Sequence, residues 1–244
     1  MSKKMVVCDS GVGGLAVLIK LVKAFPSAHF YYLSDLKNMP YGSKSKEELI
    51  RLLLKKISFA KRVKADCLVI ACNTLATVGA ETIKKEKNLK IFSVLPPVEK
   101  IADFPLEKTR IFCTPATAKS KILSGITAKN GNVVIPLKSL AGEVEKNIFN
   151  LQNISANFLS DFSLKKGRIY LSCTHYIHLV NLFKIHFPTC EIFDGTEELI
   201  NELNKKITFL NNEANKGKIF FRGAGKRRMK RAFYYLLRSQ SDIY

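Results

Sequence analysis

The chain has 244 residues, of which 47% are hydrophobic and 25% are charged, and its formal net charge is +20. This length suits one large domain or two small ones, and the apolar content is that of a globular core. The sequence has no run close to the roughly 20 apolar residues of a membrane span and no apolar leader, so we predict a cytoplasmic protein without a membrane partner.

Strand and helix patterns alternate through the first part of the chain. Apolar runs predict four strands, at 4–9, 29–35, 67–72 and 90–94. Amphipathic runs predict the helices between them, at 13–25, 45–63 and 74–87. Strands separated by helices of this length indicate parallel βαβ units.

The same alternation continues more weakly after the Pro-Pro pair at 96–97, which is the predicted hinge. Predicted strands cover 109–114, 132–137, 167–173 and 190–194. Predicted helices cover 115–129, 142–162, 176–187 and 196–207. After a polar linker come a strand at 219–221 and a final helix at 225–238.

We therefore predict an α/β fold with two pseudo-symmetric lobes, each a mostly parallel sheet flanked by helices, and an active site in the cleft between them. The N-terminal lobe is predicted to comprise 1–94 together with a returning segment, 208–244, and the second lobe to comprise 95–207.

The positive charge is spread along the chain, and only 225–238 concentrates it. There the basic residues share a helix with Tyr and Leu at core-like spacing, which favours a solvated basic face on a packed helix. Binding to nucleic acid or to an anionic membrane surface is the less favoured alternative.

Two cysteines occupy matching places in "CLVIACNTLAT" and "RIYLSCTHYIHL". Cys72 and Cys173 each end an apolar strand and precede a helix, one in each predicted lobe. Ligands bind at this edge of open α/β sheets, and a helix N-terminus is expected to lower a thiol pKa. Two thiols facing each other across a cleft suit removal of a proton from one face of a carbon and its return on the other.

The remaining cysteines are predicted to be small buried hydrophobes. They are Cys8, Cys67, Cys113 and Cys190. The cysteines form no Cys-x-x-Cys pair and have no histidine at zinc-finger spacing, so we predict no metal site. The turn "DSGVGG" (9–14) lacks the complete phosphate-loop and dinucleotide patterns, which makes a phosphate site a poor interpretation.

The segments "DSGVGGLAVL", "SDLKNMPYGSKS", "VIACNTLAT" and "LSCTHYIHL" resemble, in order and spacing, the motifs of bacterial glutamate racemases. These enzymes belong to the cofactor-independent aspartate/glutamate racemase superfamily, and the resemblance covers about residues 5–198. It implies racemisation of glutamate without a cofactor, a homodimer, and D-glutamate supplied for peptidoglycan synthesis. It also implies that Cys72 and Cys173 are the acid/base pair, assisted by Asp9 and His175.

The resemblance further assigns a set of residues to substrate contact. They are Asp9, Ser10, Tyr41, Gly42, Asn73, Thr74, Thr174 and His175. Thr114 and Thr117 resemble a further carboxylate-binding pair, and Glu145 matches a glutamate near His175. The chain departs from the family pattern at Ser34, at Pro96 and at 220–226.

Two other functions remain open at this stage. One is racemisation of aspartate or another small acidic amino acid, which a substrate panel would distinguish. The other is a divergent basic member of the family with a nucleic-acid-binding role, motivated by the net charge and the final helix.

Overall fold

The computed structural model describes residues 2–95, 109–127, 133–208 and 216–239. The strands in these ranges are β1 (Lys4–Cys8), β2 (His29–Asp35), β3 (Cys67–Ile70), β4 (Lys90–Ser93), β5 (Thr109–Cys113), β6 (Val133–Pro136), β7 (Gly167–Ser172), β8 (Cys190–Phe193) and β9 (Ile219–Ala224). The α-helices are α1 (Gly14–Ala24), α2 (Lys46–Arg62), α3 (Asn73–Val78), α4 (Ala80–Lys85), α5 (Pro115–Ala118), α6 (Lys121–Thr127), α7 (Leu140–Asn147), α8 (Thr174–Ile177), α9 (Val180–His186), α10 (Thr196–Lys206) and α11 (Lys226–Ser239). Short 3-10 helices cover Leu36–Asn38, Tyr41–Ser43, Leu151–Asn153 and Ala156–Leu159.

Two separate sheets organise the molecule. The first has the order β4-β3-β1-β2-β9 and the second the order β6-β5-β7-β8, and every strand pair is parallel. We call the first sheet with its helices the first lobe and the second sheet with its helices the second lobe. This arrangement confirms the predicted fold class.

The central strand β1 explains why the N-terminal sequence is continuously apolar. Met5 and Val7 pack into one buried cluster, whereas Val6 and Cys8 pack into another on the opposite face of the sheet. Alternate side chains of a strand point to opposite faces, so a strand covered by helices on both sides needs apolar residues at every position. Both faces of β1 are therefore buried.

Helix α2 begins as its sequence indicates. The Ser45 hydroxyl accepts a hydrogen bond from the Glu48 backbone N–H at 3.2 Å, and the Glu48 carboxylate accepts one from the Ser45 N–H at 3.1 Å. This reciprocal capping satisfies two otherwise unpaired donors at the helix start.

Several predicted helices are shorter or divided in the structure. The helix predicted at 74–87 breaks at Gly79, where an added Cβ would lie 2.5 Å from Leu53 Cδ2 of α2. Two other predicted helices are also divided. The helix predicted at 115–129 corresponds to α5 and α6, and the helix predicted at 176–187 corresponds to α8 and α9. The helix predicted at 142–162 ends at Asn147, and two 3-10 turns follow it. These divisions place short helices directly behind the strand ends.

The C-terminal segment returns to the first lobe. β9 pairs with β2, and the buried Phe233 of α11 packs against Phe221 of β9 in a tilted arrangement with a ring-centroid distance of 5.7 Å. The hinge predicted at 96–97 lies outside the described residues, and the lobe boundaries at 94/95 and 207/208 remain a prediction. Among helices in the described ranges, none has both the length and the apolar composition needed to span a bilayer.

Two departures from the family pattern meet at the pairing of β2 with β9. The Ser34 hydroxyl donates to the Ala224 carbonyl at 2.8 Å, and Ser34 pairs in register with Gly223. Gly223 has φ +86°, and a Cβ there would collide with the Ser34 carbonyl oxygen, so the position requires glycine. Ser34 and the unusual sequence at 220–226 therefore form one hydrogen-bonded unit.

Candidate active site

The functional residues converge because parallel strands end at the same edge of each sheet. Asp9 follows β1, Cys72 follows β3, Thr114 follows β5 and Cys173 follows β7. The two sheets present these edges to a shared cavity of about 550 Å³. A volume of this size suits a small-molecule ligand.

Nine of the ten predicted site residues line this cavity. They are Ser10, Tyr41, Gly42, Cys72, Asn73, Thr74, Cys173, Thr174 and His175. The tenth, Asp9, is fully buried behind the wall of the cavity, where Gly11 N–H and the Thr174 hydroxyl each donate to its carboxylate at 3.0 Å. Asp9 thus supports the loop and the second lobe rather than lining the cavity.

Cys72 and Cys173 enter the cavity from different lobes, and each is only 5% exposed. Burial, with a smaller contribution from the Asp9 charge, holds the pKa of the Cys72 thiol well above its ordinary value, although the Leu75 N–H opposes this shift. The prediction that the helix N-terminus lowers the pKa of this thiol was therefore wrong. The helix that follows Cys72 spans only 73–78, so its dipole is small beside the cost of burying a thiolate.

His175 connects the second thiol to a buried carboxylate. Burial alone lowers the pKa of His175, but hydrogen bonds with Cys173 and Glu145 outweigh it and raise that pKa to about 10. The His175 Nε2–Glu145 Oε2 distance is 3.1 Å. His175 is thus the polar neighbour of Cys173, whereas the Asp9 charge acts on Cys72, so the two thiols have different electrostatic surroundings.

Two glycines of the turn 9–14 allow the side chains of the second lobe to approach the backbone closely. A Cβ on Gly11 would collide with the Glu145 carboxylate, and one on Gly13 would lie 2.5 Å from Thr174 Oγ1 and 2.6 Å from His175 Nδ1. Neither glycine has a positive φ, so close approach rather than backbone conformation explains them.

Two further side chains hold the same turn. The Tyr32 hydroxyl donates to the Gly11 carbonyl at 2.6 Å, and His178 Nε2 lies 3.1 Å from the Val12 carbonyl. Burial and the nearby His175 lower the pKa of His178 to about 4, so it is neutral at physiological pH and donates to this carbonyl. His178 therefore holds the turn at Val12.

Three threonine hydroxyls join the lobes at one end of the cavity. Thr74 Oγ1 lies 2.8 Å from Thr114 Oγ1, Thr114 Oγ1 lies 3.0 Å from Thr117 Oγ1, and the Thr117 hydroxyl donates to Thr74 at 3.1 Å. Thr74 belongs to the first lobe and the other two to the second. Each hydroxyl has one proton and the ring uses all three, so a hydroxyl that donates to a carboxylate must first leave the ring.

Sequence reasoning missed the lysines of the cavity wall. Lys44, Lys119 and Lys138 line it, and the lining contains no aspartate or glutamate among the described residues. Lys44 lies inside the quoted motif "SDLKNMPYGSKS", and Lys119 follows Thr117 by two positions, which is a signal that could have identified them. The cavity therefore has a cationic lining suited to an anionic ligand.

A second buried network, also missed from the sequence, supports the Tyr41–Gly42 wall. The Tyr41 hydroxyl donates to Asp35 Oδ2 at 2.6 Å, and Lys56 Nζ lies 3.2 Å from the same oxygen. Burial raises the pKa of the Asp35 carboxyl, but hydrogen bonds from Tyr41, Asn38 and Lys56 together with the Lys56 charge outweigh burial and lower it. Asp35 thus fixes the ring that forms part of the cavity wall.

Asp35→Asn is expected to destabilise the protein by about 1–3 kcal/mol at neutral pH, because charge-assisted hydrogen bonds are lost. A carboxyl whose folded pKa lies below the unfolded value of 3.8 stabilises the fold above that value, and the contribution disappears as pH falls through the folded pKa. Urea unfolding measures the free energy of unfolding at neutral and at acidic pH. The difference in this free energy between the variant and the wild type should be smaller at acidic pH. The exposed Asp161→Asn is the matched control, and an Asp35 effect independent of pH would contradict the assignment.

Several known proteins resemble this chain in sequence and in fold. The chain is 31% identical over 231 residues to the glutamate racemase of Leptospira interrogans, covering 89% of each chain. It is 33% identical over 220 residues to that of Aquifex pyrophilus, covering 84% of this chain and 83% of the relative. The solved glutamate racemase of Thermus thermophilus shares its fold with a TM-score of 0.81 at 24% identity, covering 96% of this chain and 93% of the other. No family model matches the chain.

Proposed function

The chain belongs to the glutamate racemase family, a family of isomerases, and we propose that it interconverts L- and D-glutamate with Cys72 and Cys173 as the proton-transferring groups. The observation that carries this proposal is the entry of both thiols into one cavity from opposite lobes. The D-glutamate formed would supply peptidoglycan synthesis.

The proposed reaction is a pair of proton transfers at the substrate α-carbon. One thiolate removes the α-proton and becomes a thiol, leaving a carbanion conjugated with the carboxylate. The opposite thiol then donates its proton to the other face of that carbon and becomes a thiolate. The product is the mirror image, the number of protons is unchanged, and the thiols have exchanged protonation states.

The two thiols are suited to complementary roles in this cycle. Burial beside Asp9 keeps the pKa of Cys72 high, which favours the neutral thiol that donates a proton. At Cys173 the neighbouring group is instead the hydrogen-bonded His175. We therefore propose Cys72 as the proton donor in the unliganded protein, with Asp9 and His175 assisting their respective thiols.

Several wall groups support recognition of glutamate. Asn73 Oδ1 is buried without a hydrogen-bond partner among the described residues, so it can accept from the substrate ammonium group. Ser10 can donate to a carboxylate, and so can a threonine hydroxyl that leaves the ring of Thr74, Thr114 and Thr117. The lysines Lys44, Lys119 and Lys138 favour a substrate with a second negative charge.

The remaining predicted properties belong to the same proposal. The mechanism requires reduced thiols, which the cytoplasm maintains, and this supports a cytoplasmic location. A homodimer is proposed on the family resemblance alone. The mechanism as proposed uses no cofactor and no metal ion.

Incubation of the purified protein in D₂O with either enantiomer, without added cofactor, should incorporate deuterium at Cα and end in an equal mixture of enantiomers. Equal amounts are expected because mirror-image molecules have the same free energy. Nuclear magnetic resonance of the Cα proton and chiral chromatography measure the two quantities. Aspartate serves as the parallel substrate, and activity on aspartate alone, or none on glutamate, would overturn the assignment.

A further inference from the structure

One arginine of the basic helix α11 contacts Glu145, the carboxylate that hydrogen-bonds to His175. Arg228, in its first turn, donates from Nη2 to the backbone carbonyl of Glu145, and its Nε lies 3.8 Å from Glu145 Oε1. The same helix places the Arg231 guanidinium 4.9 Å from the Phe149 ring centroid. α11 therefore packs along the C-terminal end of α7, where cations complement the helix dipole.

The two carboxylate oxygens of Glu145 have different surroundings. Its Oε2 accepts from the Val12 N–H at 2.7 Å and lies 3.1 Å from His175 Nε2. Its Oε1 is buried and has no hydrogen-bond partner among the described residues, and the Arg228 guanidinium faces this oxygen while His175 faces Oε2. Removing a compensating charge from a buried carboxylate is costly, and the carboxylate then moves or takes up a proton.

We propose that Arg228 is a positioning residue of the active site, which holds Glu145 so that Glu145 orients His175 against Cys173. Arg228 itself lies outside the cavity lining and contacts neither thiol. The inference rests on the proposed racemase function. It gives one member of the basic helix a specific role that differs from the general attraction of an anionic partner.

Besides holding Glu145 in place, Arg228 affects its protonation state. The charged and titratable groups that interact with Glu145 are His175, His178, Tyr32 and Arg228. Burial raises the pKa of the Glu145 carboxyl, but His175, the Val12 N–H and Arg228 outweigh burial and lower it. Loss of Arg228 therefore raises this pKa, and a larger fraction of Glu145 becomes protonated and releases His175 as pH falls.

The test compares the wild type with Arg228→Gln, Arg228→Lys and Arg227→Gln. Arg227 is exposed on the same helix and matches the loss of one charge. Arg228→Gln should lower kcat at neutral pH by about tenfold to a hundredfold, as misplacement of a supporting group does, and should shift the acid limb of the kcat/KM profile to higher pH. Arg228→Lys should restore the acid limb, and Arg227→Gln should behave as wild type.

A second readout does not depend on turnover. In protein with ¹⁵N-labelled histidine, the His175 ring nitrogens should report Glu145 protonation in acid, and this step should move to higher pH in Arg228→Gln. An unchanged step and an unchanged acid limb would overturn the inference, even if the melting temperature fell. An inactive wild type would instead overturn the proposed function, and the histidine titration would still decide the role of Arg228.

Discussion

Cys72→Ser and Cys173→Ser should each lower the rate of glutamate racemisation by about 10²–10⁴-fold, the range for loss of a general acid or base. Each enantiomer presents its α-proton to one thiol and receives a new proton from the other, so neither thiol can replace its partner. A serine hydroxyl has a far higher pKa than a thiol and serves poorly as a base. Circular dichroism, which follows loss of optical activity, measures the rate from either enantiomer.

Deuterium exchange distinguishes the two thiols from each other. A variant that keeps one functional base can still exchange the α-proton of the enantiomer that faces it, without inversion. Residual exchange in D₂O should therefore be confined to one enantiomer in Cys72→Ser and to the opposite enantiomer in Cys173→Ser. Cys190→Ser is the matched control, since this half-buried thiol lies outside the cavity lining. Near-normal interconversion in either active-site variant would exclude the two-thiol mechanism.

The site residues that directly follow strands could be predicted from the sequence. Cys72 and Cys173 come directly after apolar runs, and parallel strands bring their carboxyl ends to one edge. That rule alone places both thiols at ligand-binding edges. The spacing of the motifs then identifies the family.

Other parts depend on packing that a linear pattern does not contain. Arg228 meets Glu145 across 83 residues, and Lys56 meets Asp35 from the buried face of α2. The direction of the pKa shift at Cys72 was mispredicted because a helix N-terminus is visible in the sequence, whereas the depth of burial is not. Helix divisions such as that at Gly79 likewise depend on the neighbouring Leu53.

Gly13→Ala should impair both stability and racemisation. The added methyl group would lie 2.5 Å from Thr174 Oγ1 and 2.6 Å from His175 Nδ1, closer than non-bonded atoms approach. Either the turn or His175 must move, and overpacking of this kind costs about 1–3 kcal/mol. Because His175 bonds to both Cys173 and Glu145, its displacement should also lower kcat by about a hundredfold. Urea unfolding and the racemisation assay measure the two effects.

Gly142→Ala separates a steric effect from a general effect of replacing glycine. Gly142 lies within α7, and a Cβ there would have no atom within 4 Å, so alanine should stabilise the protein by up to about 1 kcal/mol through its higher helix propensity. The two substitutions add the same methyl group and should change stability in opposite directions. A Gly13→Ala variant as stable and active as the wild type would show that the turn relaxes freely. The close contact with His175 would then not explain why glycine occupies this position.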